Sequence, residues 1–268
     1  RRQRQMCIRD SSWSSLQQLR IDPDRTVQPN CSLRILEEQW NQHLAKTIPL
    51  QHIVGRCPWR DVELEVSPAA LIPRQETELL LDLAVQRIGR TSIRRWADLG
   101  TGSGALAVVL SSEWPEADGH AVDLSSAALS LAKRNLQRCV PLHHCRLHCG
   151  SWWEPLKDWW GQFDLVLTNP PYIPSGLVAG LHPVVRDHEP HLALAGGEDG
   201  LDAIRRLLAH AGSALSPGGQ LLLEHHHDQS AAVLELMEQA GLVEREAVPD
   251  LQGVLRFAIA GRPGAGST

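Results

Sequence analysis

The sequence has little tyrosine and phenylalanine, no long apolar run and no surplus of positive charge. Its 268 residues include nine Trp but only two Phe and one Tyr. A membrane-spanning helix needs about 20 consecutive apolar residues, and the longest apolar run covers only residues 105–110, so we expect no membrane span. Lys and Arg number 26 against 31 Asp and Glu, a net charge of −5. Because binding to a nucleic-acid backbone needs a basic surface, we expect no direct partner of that kind.

The six cysteines show no paired spacing. No two of them form a Cys-x-x-Cys motif, and the chain starts without the basic and then apolar pattern of a secretion signal. We therefore expect free thiols and a cytoplasmic protein. Histidines and cysteines are dense between residues 139 and 149, but the alternation there is equally typical of one strand, and we predict no metal site. We interpret His225, His226 and His227 in the same way, as the polar end of an apolar strand.

The first 48 residues differ from the rest of a chain whose composition is globular. They are rich in Gln, Arg and Ser and contain one amphipathic stretch over 33–44. We expect residues 1–15 to be mobile. Residues 61–66 then alternate apolar and acidic side chains, as in one strand of a hairpin. A helix is predicted over 76–88. The tail over 263–268 is rich in Gly and Ser, and we expect it to be disordered.

Short apolar segments and amphipathic segments alternate from residue 96 onward. The segments typical of strands cover 96–99, 120–123, 142–149, 163–168, 221–224, 243–248 and 255–260. The segments typical of helices lie between them, at 105–110, 127–137, 204–215 and 233–240. Alternating strands and helices favour a mostly parallel sheet with helices on both faces. The predicted class is therefore α/β, with a Rossmann-like sheet of seven strands.

A glycine-rich loop, Asp98-Leu-Gly-Thr-Gly-Ser-Gly104, follows the first of these strands. Glycines let a backbone turn tightly and approach a ligand. The pattern also satisfies a dinucleotide fingerprint, with Asp123 about 20 residues further on, where it could bind a ribose. However, Asp98 would repel a pyrophosphate but could orient an ammonium group, and Gly104 adds a third alternate glycine. The loop thus favours S-adenosylmethionine over NAD.

The tetrapeptide Asn169-Pro-Pro-Tyr172 follows another predicted strand. Its two prolines fix φ and remove two backbone N–H donors. We therefore expect a rigid segment at the carboxyl end of the sheet, where α/β proteins bind ligands. A planar amide or amino nitrogen is a poor nucleophile and needs alignment, which can contribute roughly 7–11 kcal/mol. The Asn169 side chain and the Pro170 carbonyl can accept its two hydrogens, while Tyr172 offers a flat wall.

These segments together resemble the class I S-adenosylmethionine-dependent N-methyltransferases, and most closely the family of peptide chain release factor glutamine methyltransferases. The tetrapeptide alone is shared with DNA adenine methyltransferases. The resemblance covers about residues 49–262 and includes Pro49–Gly55, Val66–Pro68, Leu71–Arg74 with Glu76-Thr-Glu78, Glu189–Gly200 and Leu221–Glu224. The segments over 71–78 and 189–200 are those that favour this family over the DNA adenine methyltransferases.

The resemblance implies an enzyme that methylates the glutamine of the Gly-Gly-Gln motif in release factors. Asn169, Pro170 and Tyr172 would be catalytic, and the substrate amide would lie on Asn169, Pro170, Pro171 and Tyr172. The residues that would bind S-adenosylmethionine are Asp98, Gly100, Thr101, Gly102, Ser103, Gly104, Asp123, Trp152 and Asn169. Trp152 would lie against the adenine, although the neighbouring Trp153 is an alternative.

The resemblance also divides the chain. Residues 1–48 would be a helical substrate-docking domain, shorter than in the family, 49–75 a hairpin link and 76–262 the methyltransferase domain. Arg74 would either help to close the site or simply pair with Glu76 or Glu78. At Gly218-Gly219-Gln220 we expect only a turn into the next strand.

Other functions stay open at this point. A related N-methyltransferase could act on a ribosomal-protein glutamine or on adenine in nucleic acid, although base flipping would need a basic groove. A different class, an NAD-dependent oxidoreductase or a catalytically silent cofactor-binding module, would bind its ligand through the same glycine loop. The sequence does not define the oligomeric state, and we expect a monomer.

Overall fold

The computed structural model describes residues 31–89, 93–142 and 144–264. Two helices, α1 (Leu33–Lys46) and α2 (Leu50–Val54), precede a hairpin of β1 (Arg56–Trp59) and β2 (Val62–Glu65). The main sheet comprises β3 (Arg95–Leu99), β4 (Asp118–Asp123), β5 (Cys145–Cys149), β6 (Phe163–Thr168), β7 (Leu215–Glu224), β8 (Val243–Pro249) and β9 (Leu255–Gly261). The other helices are α3 (Glu78–Ile88), α4 (Ala105–Glu113), α5 (Ser126–Cys139), α6 (Ser175–Val178), α7 (Pro183–Arg186), α8 (Asp202–Ala214) and α9 (Ser230–Gln239), with short 3₁₀ helices at Glu154–Trp159 and His191–Ala193.

Seven strands form one sheet in the order β5-β4-β3-β6-β7-β9-β8. The first five strands in this order pair in parallel, whereas β9 runs antiparallel to both of its neighbours, β7 and β8. The carboxyl ends of β3, β4 and β6 therefore meet at one edge of the sheet. This arrangement confirms the predicted seven-stranded, mostly parallel, Rossmann-like sheet.

Helices cover both faces of the sheet because its central strands are apolar on both sides. Along β6, Leu165 and Leu167 pack into one core cluster and Val166 into the other, since side chains alternate along a strand. Residues 105–111 of α4 are all buried, and residues 105–110 belong to the first of these clusters. On the second face, α8 packs through a stripe of apolar residues at i, i+3, i+4 and i+7: Ile204, Leu207, Leu208 and Ala211.

Helix α1 corresponds to the amphipathic stretch that the sequence predicted, although none of its side chains is buried. The carbonyl of Lys46, its last residue, lies 2.9 Å from Nε2 of His188. Residues 1–15, which we expected to be mobile, lie outside the described residues. Of the tail over 263–268, which we expected to be disordered, residues 265–268 also lie outside them. In the described part of the chain, no helix combines the length and apolar character needed to cross a membrane.

Two strands differ from their predicted bounds by more than two residues. β5 begins at Cys145 instead of residue 142, because residues 141–142 form a turn that leaves Leu142 exposed. β7 begins at Leu215 instead of residue 221, and its pairing with β6 is irregular near its start. Residues 218–220, which we expected to form a turn before this strand, therefore lie within it. Gly218 has a φ of +80°, a conformation that glycine supplies at a β-bulge.

Candidate active site

A cavity of about 390 Å³ lies at the carboxyl edge of the sheet, a size typical of small-molecule sites. The glycine loop after β3, the ends of β4 and β6, and residues 69–74 form much of its wall. The predicted site residues that line it are Asp98, Gly100, Thr101, Gly102, Ser103, Asp123, Trp152, Asn169 and Pro171. Three other predicted site residues, Gly104, Pro170 and Tyr172, are not part of its lining.

The glycine loop is held against two neighbouring elements. The N–H groups of Gly100 and Thr101 both donate to the Val122 carbonyl at 2.9 Å, which joins the loop to β4. Gly104 has a φ of +83°, and a Cβ added there would lie 2.9 Å from the Cβ of Ala132 in α5. Gly104 thus serves the packing of the loop on α5, whereas the earlier part of the loop faces the cavity.

Asp98, in β3, is fully buried. Its Oδ2 accepts hydrogen bonds from the Thr101 hydroxyl at 2.6 Å and from the Ala107 N–H at 3.1 Å. Its Oδ1 has no hydrogen-bond partner among the described residues, and burial raises the pKa of Asp98 to about 7. Because a buried carboxylate oxygen without a donor is costly and Asp98 is among the residues that line the cavity, this carboxylate suits a ligand that brings a cationic donor, such as an ammonium group.

Asp123, the last residue of β4, is held by two backbone hydrogen bonds. Its Oδ2 accepts from the Gly102 N–H and its Oδ1 from the Ser125 N–H, both at 2.8 Å. Burial raises the pKa of Asp123. Since each carboxylate oxygen has a further acceptor position, the fixed carboxylate can still accept from two adjacent hydroxyls, the arrangement that a ribose presents.

The structure separates the neighbouring Trp152 and Trp153. Trp152 lines the cavity, and its ring lies 3.3 Å from where a Cβ on Gly100 would be. Trp153 is 1% exposed and donates its indole N–H to the Leu207 carbonyl at 2.8 Å. The flat face of Trp152 is therefore available to an adenine ring, and Trp153 belongs to the core.

Within the Asn-Pro-Pro-Tyr segment, only Asn169 and Pro171 line the cavity. Asn169 Nδ2 donates to the Thr77 hydroxyl at 2.9 Å, and its Oδ1 has no partner in the described part of the chain. The Tyr172 phenol donates to Glu224 Oε1 at 2.9 Å, and its ring packs against the core cluster that contains α8 residues. The aromatic ring of Tyr172, which we expected to contact the substrate, therefore packs against the core and does not line the cavity.

Thr77 and Glu224 adjoin this segment, although the sequence reasoning assigned neither a role. The Thr77 hydroxyl donates to Glu224 Oε2 at 2.6 Å. Glu224 is 1% exposed, and burial raises its pKa. The available signal was the segment Leu221-Leu-Leu-Glu224, in which an acidic residue ends a wholly apolar run.

Arg74 does not pair with Glu76 or Glu78, which was one of the two alternatives left open by the sequence. Its guanidinium donates to Glu189 instead, at 2.7 Å, while Glu78 Oε1 accepts the N–H of Arg60 at 3.1 Å. Because Arg74 lines the cavity, its bond to Glu189 fixes part of the cavity wall.

The histidine and cysteine side chains between 139 and 149 differ in burial and in the residues that they contact. His143 lies outside the described residues, Cys145 is buried and Cys149 is exposed. His148 stacks on the buried His120, with ring centroids 5.1 Å apart. In the ranges that the structure describes, one group of side chains could hold a metal ion: His226, His227 and Asp228, with ligand atoms within 4.8 Å of one another.

Comparison with known proteins defines the class first. Residues 75–181 match the family model described as methyltransferase small domain. The chain is also similar to the solved catalytic domain of hMettl16 in complex with the MAT2A 3′UTR hairpin 6, with a TM-score of 0.60 and 16% identity over 91% of this chain and 86% of that chain. The fold is that of a Rossmann-like methyltransferase.

Two curated relatives identify the family. The release factor glutamine methyltransferase of Prochlorococcus marinus is 52% identical over 94% of this chain and 86% of the relative. That of Thermosynechococcus vestitus is 43% identical over 85% of this chain and 79% of the relative. The chain belongs to the release factor glutamine methyltransferase family, an enzyme family. The predicted cofactor, S-adenosylmethionine, is confirmed at this level.

Proposed function

We propose that the protein methylates the side-chain amide nitrogen of the glutamine in the Gly-Gly-Gln motif of peptide chain release factors. One observation carries the proposal: Asn169 lines the cavity with its Nδ2 already bound to Thr77, so that its carbonyl oxygen is left to accept an N–H from a substrate. The family to which the chain belongs supports this choice of substrate.

The residues around the cavity fit S-adenosylmethionine, which when bound supplies a methyl group on a positively charged sulfur. Asp98 Oδ1, without a partner among the described residues, would accept from the ammonium group. Asp123 would accept from the ribose hydroxyls, and Trp152 would lie against the adenine. The loop residues from Gly100 to Ser103 would contact the ligand through their backbone.

Asn169 and Pro170 would orient the substrate nitrogen. The amide nitrogen carries two hydrogens and a delocalised lone pair, and is therefore a poor nucleophile. If Asn169 Oδ1 accepts one hydrogen and the Pro170 carbonyl the other, the lone pair is directed away from both acceptors and toward the cavity. No strong base is required beforehand, because the N–H becomes acidic only once the nitrogen is alkylated; its proton can then pass to water.

The substrate would dock near the first helices. Within α1, Leu33 and Leu44 are 77% and 60% exposed, and the end of this helix contacts His188, next to the residue that binds Arg74. We propose residues 1–48 as the docking region, 49–75 as the link and 76–262 as the catalytic domain.

The test is transfer of label from methyl-tritiated S-adenosylmethionine to an intact release factor, followed by mass spectrometry of the modified peptide. We expect one methyl group on the motif glutamine, and none on a release factor whose motif glutamine is replaced by alanine. Asn169→Ala should lower turnover by roughly 10²–10³-fold while binding of S-adenosylhomocysteine stays measurable. Label on duplex DNA or on a ribosomal protein, with none on the release factor, would contradict the proposal.

A further inference from the structure

A buried carboxylate at the end of β7 holds two hydroxyl groups. Glu224 Oε2 accepts from the Thr77 hydroxyl at 2.6 Å, and Oε1 accepts from the Tyr172 phenol at 2.9 Å. Glu224 is 1% and Thr77 5% exposed, so little water competes for these bonds. Burial and the charge of Glu76 raise the pKa of Glu224, whereas the two hydroxyl donors and the charge of Arg256 act in the opposite direction.

Thr77 uses its hydroxyl in an unusual way for its position. It is the residue immediately before α3, where a threonine hydroxyl commonly accepts a backbone N–H of the first turn. Here the hydroxyl makes no such bond. It donates to Glu224 and accepts from Asn169 Nδ2 at 2.9 Å. The hydroxyl therefore connects the buried carboxylate to the side chain that lines the cavity.

The direction of these hydrogen bonds is set by the carboxylate. Glu224 accepts a hydroxyl at each of its two oxygens, so the single proton of the Thr77 hydroxyl is committed to Glu224. The Thr77 oxygen can then only accept, and it must be faced by the NH₂ group of Asn169. Without this constraint a carboxamide can rotate by 180° at little steric cost, since its oxygen and nitrogen are nearly equal in size. The rotated form would present N–H groups to the substrate amide.

We propose that Thr77 and Glu224 are positioning residues that fix which way the Asn169 carboxamide faces, with its oxygen toward the cavity. The inference rests on the proposed function in one respect, namely that the group met by this oxygen is an amide N–H. The fixed orientation of Asn169 would select the substrate by whether it donates or accepts hydrogen bonds. A glutamine amide, which offers N–H donors, is accepted, and a glutamate carboxylate of the same shape is rejected. Tyr172 supports this arrangement by holding the other oxygen of Glu224.

The test compares Thr77→Val, which removes the hydroxyl and keeps the shape, with the control Thr77→Ser, which keeps the hydroxyl. With S-adenosylmethionine and release factor, we expect kcat to fall roughly 10- to 100-fold in Thr77→Val and to stay within about threefold of the original in Thr77→Ser. KM for S-adenosylmethionine should change by no more than about twofold in either. Thr77→Ala also removes the hydroxyl and replaces the valine variant if that variant does not fold.

A second readout does not depend on methyl transfer. In protein labelled with ¹⁵N-asparagine and saturated with S-adenosylhomocysteine, the Asn169 carboxamide signals are assigned by their loss in Asn169→Asp. We expect them to shift, and their protons to exchange faster with water, in Thr77→Val but not in Thr77→Ser. Unchanged signals in Thr77→Val would overturn the inference. So would a normal kcat in that variant. If the original enzyme did not label the release factor, the proposed function would fail, and the NMR result would still decide the orientation of Asn169.

Discussion

The Arg74 guanidinium donates a hydrogen bond of 2.7 Å to Glu189, which also accepts the backbone N–H of Ile72 at 3.1 Å. The Glu189 side chain is 1% exposed, whereas Arg74 is 32% exposed. One buried carboxylate thus joins the segment before α3 to the segment that follows α7, and both segments line the cavity.

Arg74→Met should leave the Glu189 carboxylate buried with a single backbone donor. Removal of one partner of a fully buried ion pair costs about 3–5 kcal/mol, and we expect about 2 kcal/mol here because Arg74 is partly in water. Urea denaturation measures the loss. Arg34→Met is the control, since its pair with Glu38 is exposed on both sides and should change the free energy of unfolding by no more than about 0.5 kcal/mol. Equal losses in the two variants would contradict the prediction.

The two adjacent tryptophans should respond oppositely to truncation. Trp152→Ala removes the aromatic face at the cavity, and we expect the affinity for S-adenosylhomocysteine to fall by about tenfold, corresponding to about 1.4 kcal/mol. Trp153→Ala removes a buried ring and its hydrogen bond to Leu207, which should lower the free energy of unfolding by about 3–5 kcal/mol. Calorimetric titration and urea denaturation, run on both variants, check this. The assignment fails if Trp153→Ala is the variant that selectively loses affinity.

Gly104→Ala should destabilise the protein through a steric clash in addition to backbone strain. The added Cβ would lie 2.9 Å from the Cβ of Ala132, and overpacking of this kind costs about 1–3 kcal/mol. Gly218→Ala is the matched control, because Gly218 has a similar φ of +80° but no atom within 4 Å of the added Cβ. In Gly218→Ala, the free energy of unfolding should fall only by the cost of a left-handed backbone conformation, about 1–2 kcal/mol. The measurement is again urea denaturation, and a smaller loss in Gly104→Ala than in the control would refute the clash.

Asp98 should make the ligand-free protein less stable as pH rises from about 4 to about 7. An unfolded aspartate loses its proton near pH 4, whereas burial raises the pKa of Asp98 in the folded protein to about 7. Between these values the native state holds an extra proton, so the free energy of unfolding declines as pH rises and levels off above 7.

Asp98→Asn cannot titrate, and it should lose this part of the pH dependence. The quantity to measure is the difference in free energy of unfolding between the original protein and the variant, at pH values from 4 to 8. We expect the variant to gain on the original protein as pH rises, because other titrating groups cancel in the difference. A constant difference would show that Asp98 ionises normally.

The parts of the site that are local in sequence were predictable. Gly100 and Asn169 come directly after strands and Asp123 ends one, and parallel strands bring such positions to one edge. The pairs Arg74–Glu189 and Thr77–Glu224 were not predictable, since they join residues 115 and 147 positions apart, and a hydrophobic pattern does not say which distant polar groups meet. The choice between Trp152 and Trp153 was uncertain for a local reason. Trp152 has a φ of +47°, which interrupts the alternation of side chains that holds along a strand.

The position of β9 has a consequence for how the protein is synthesised. This strand is late in the sequence, yet it lies between β7 and β8, and its Phe257 pairs with Glu224. Until residues 255–261 leave the ribosome, β7 has an open edge and β8 has no neighbour in the sheet. The carboxylate that holds Thr77 and Tyr172 therefore reaches its final surroundings only after β9 has been synthesised and has paired with β7.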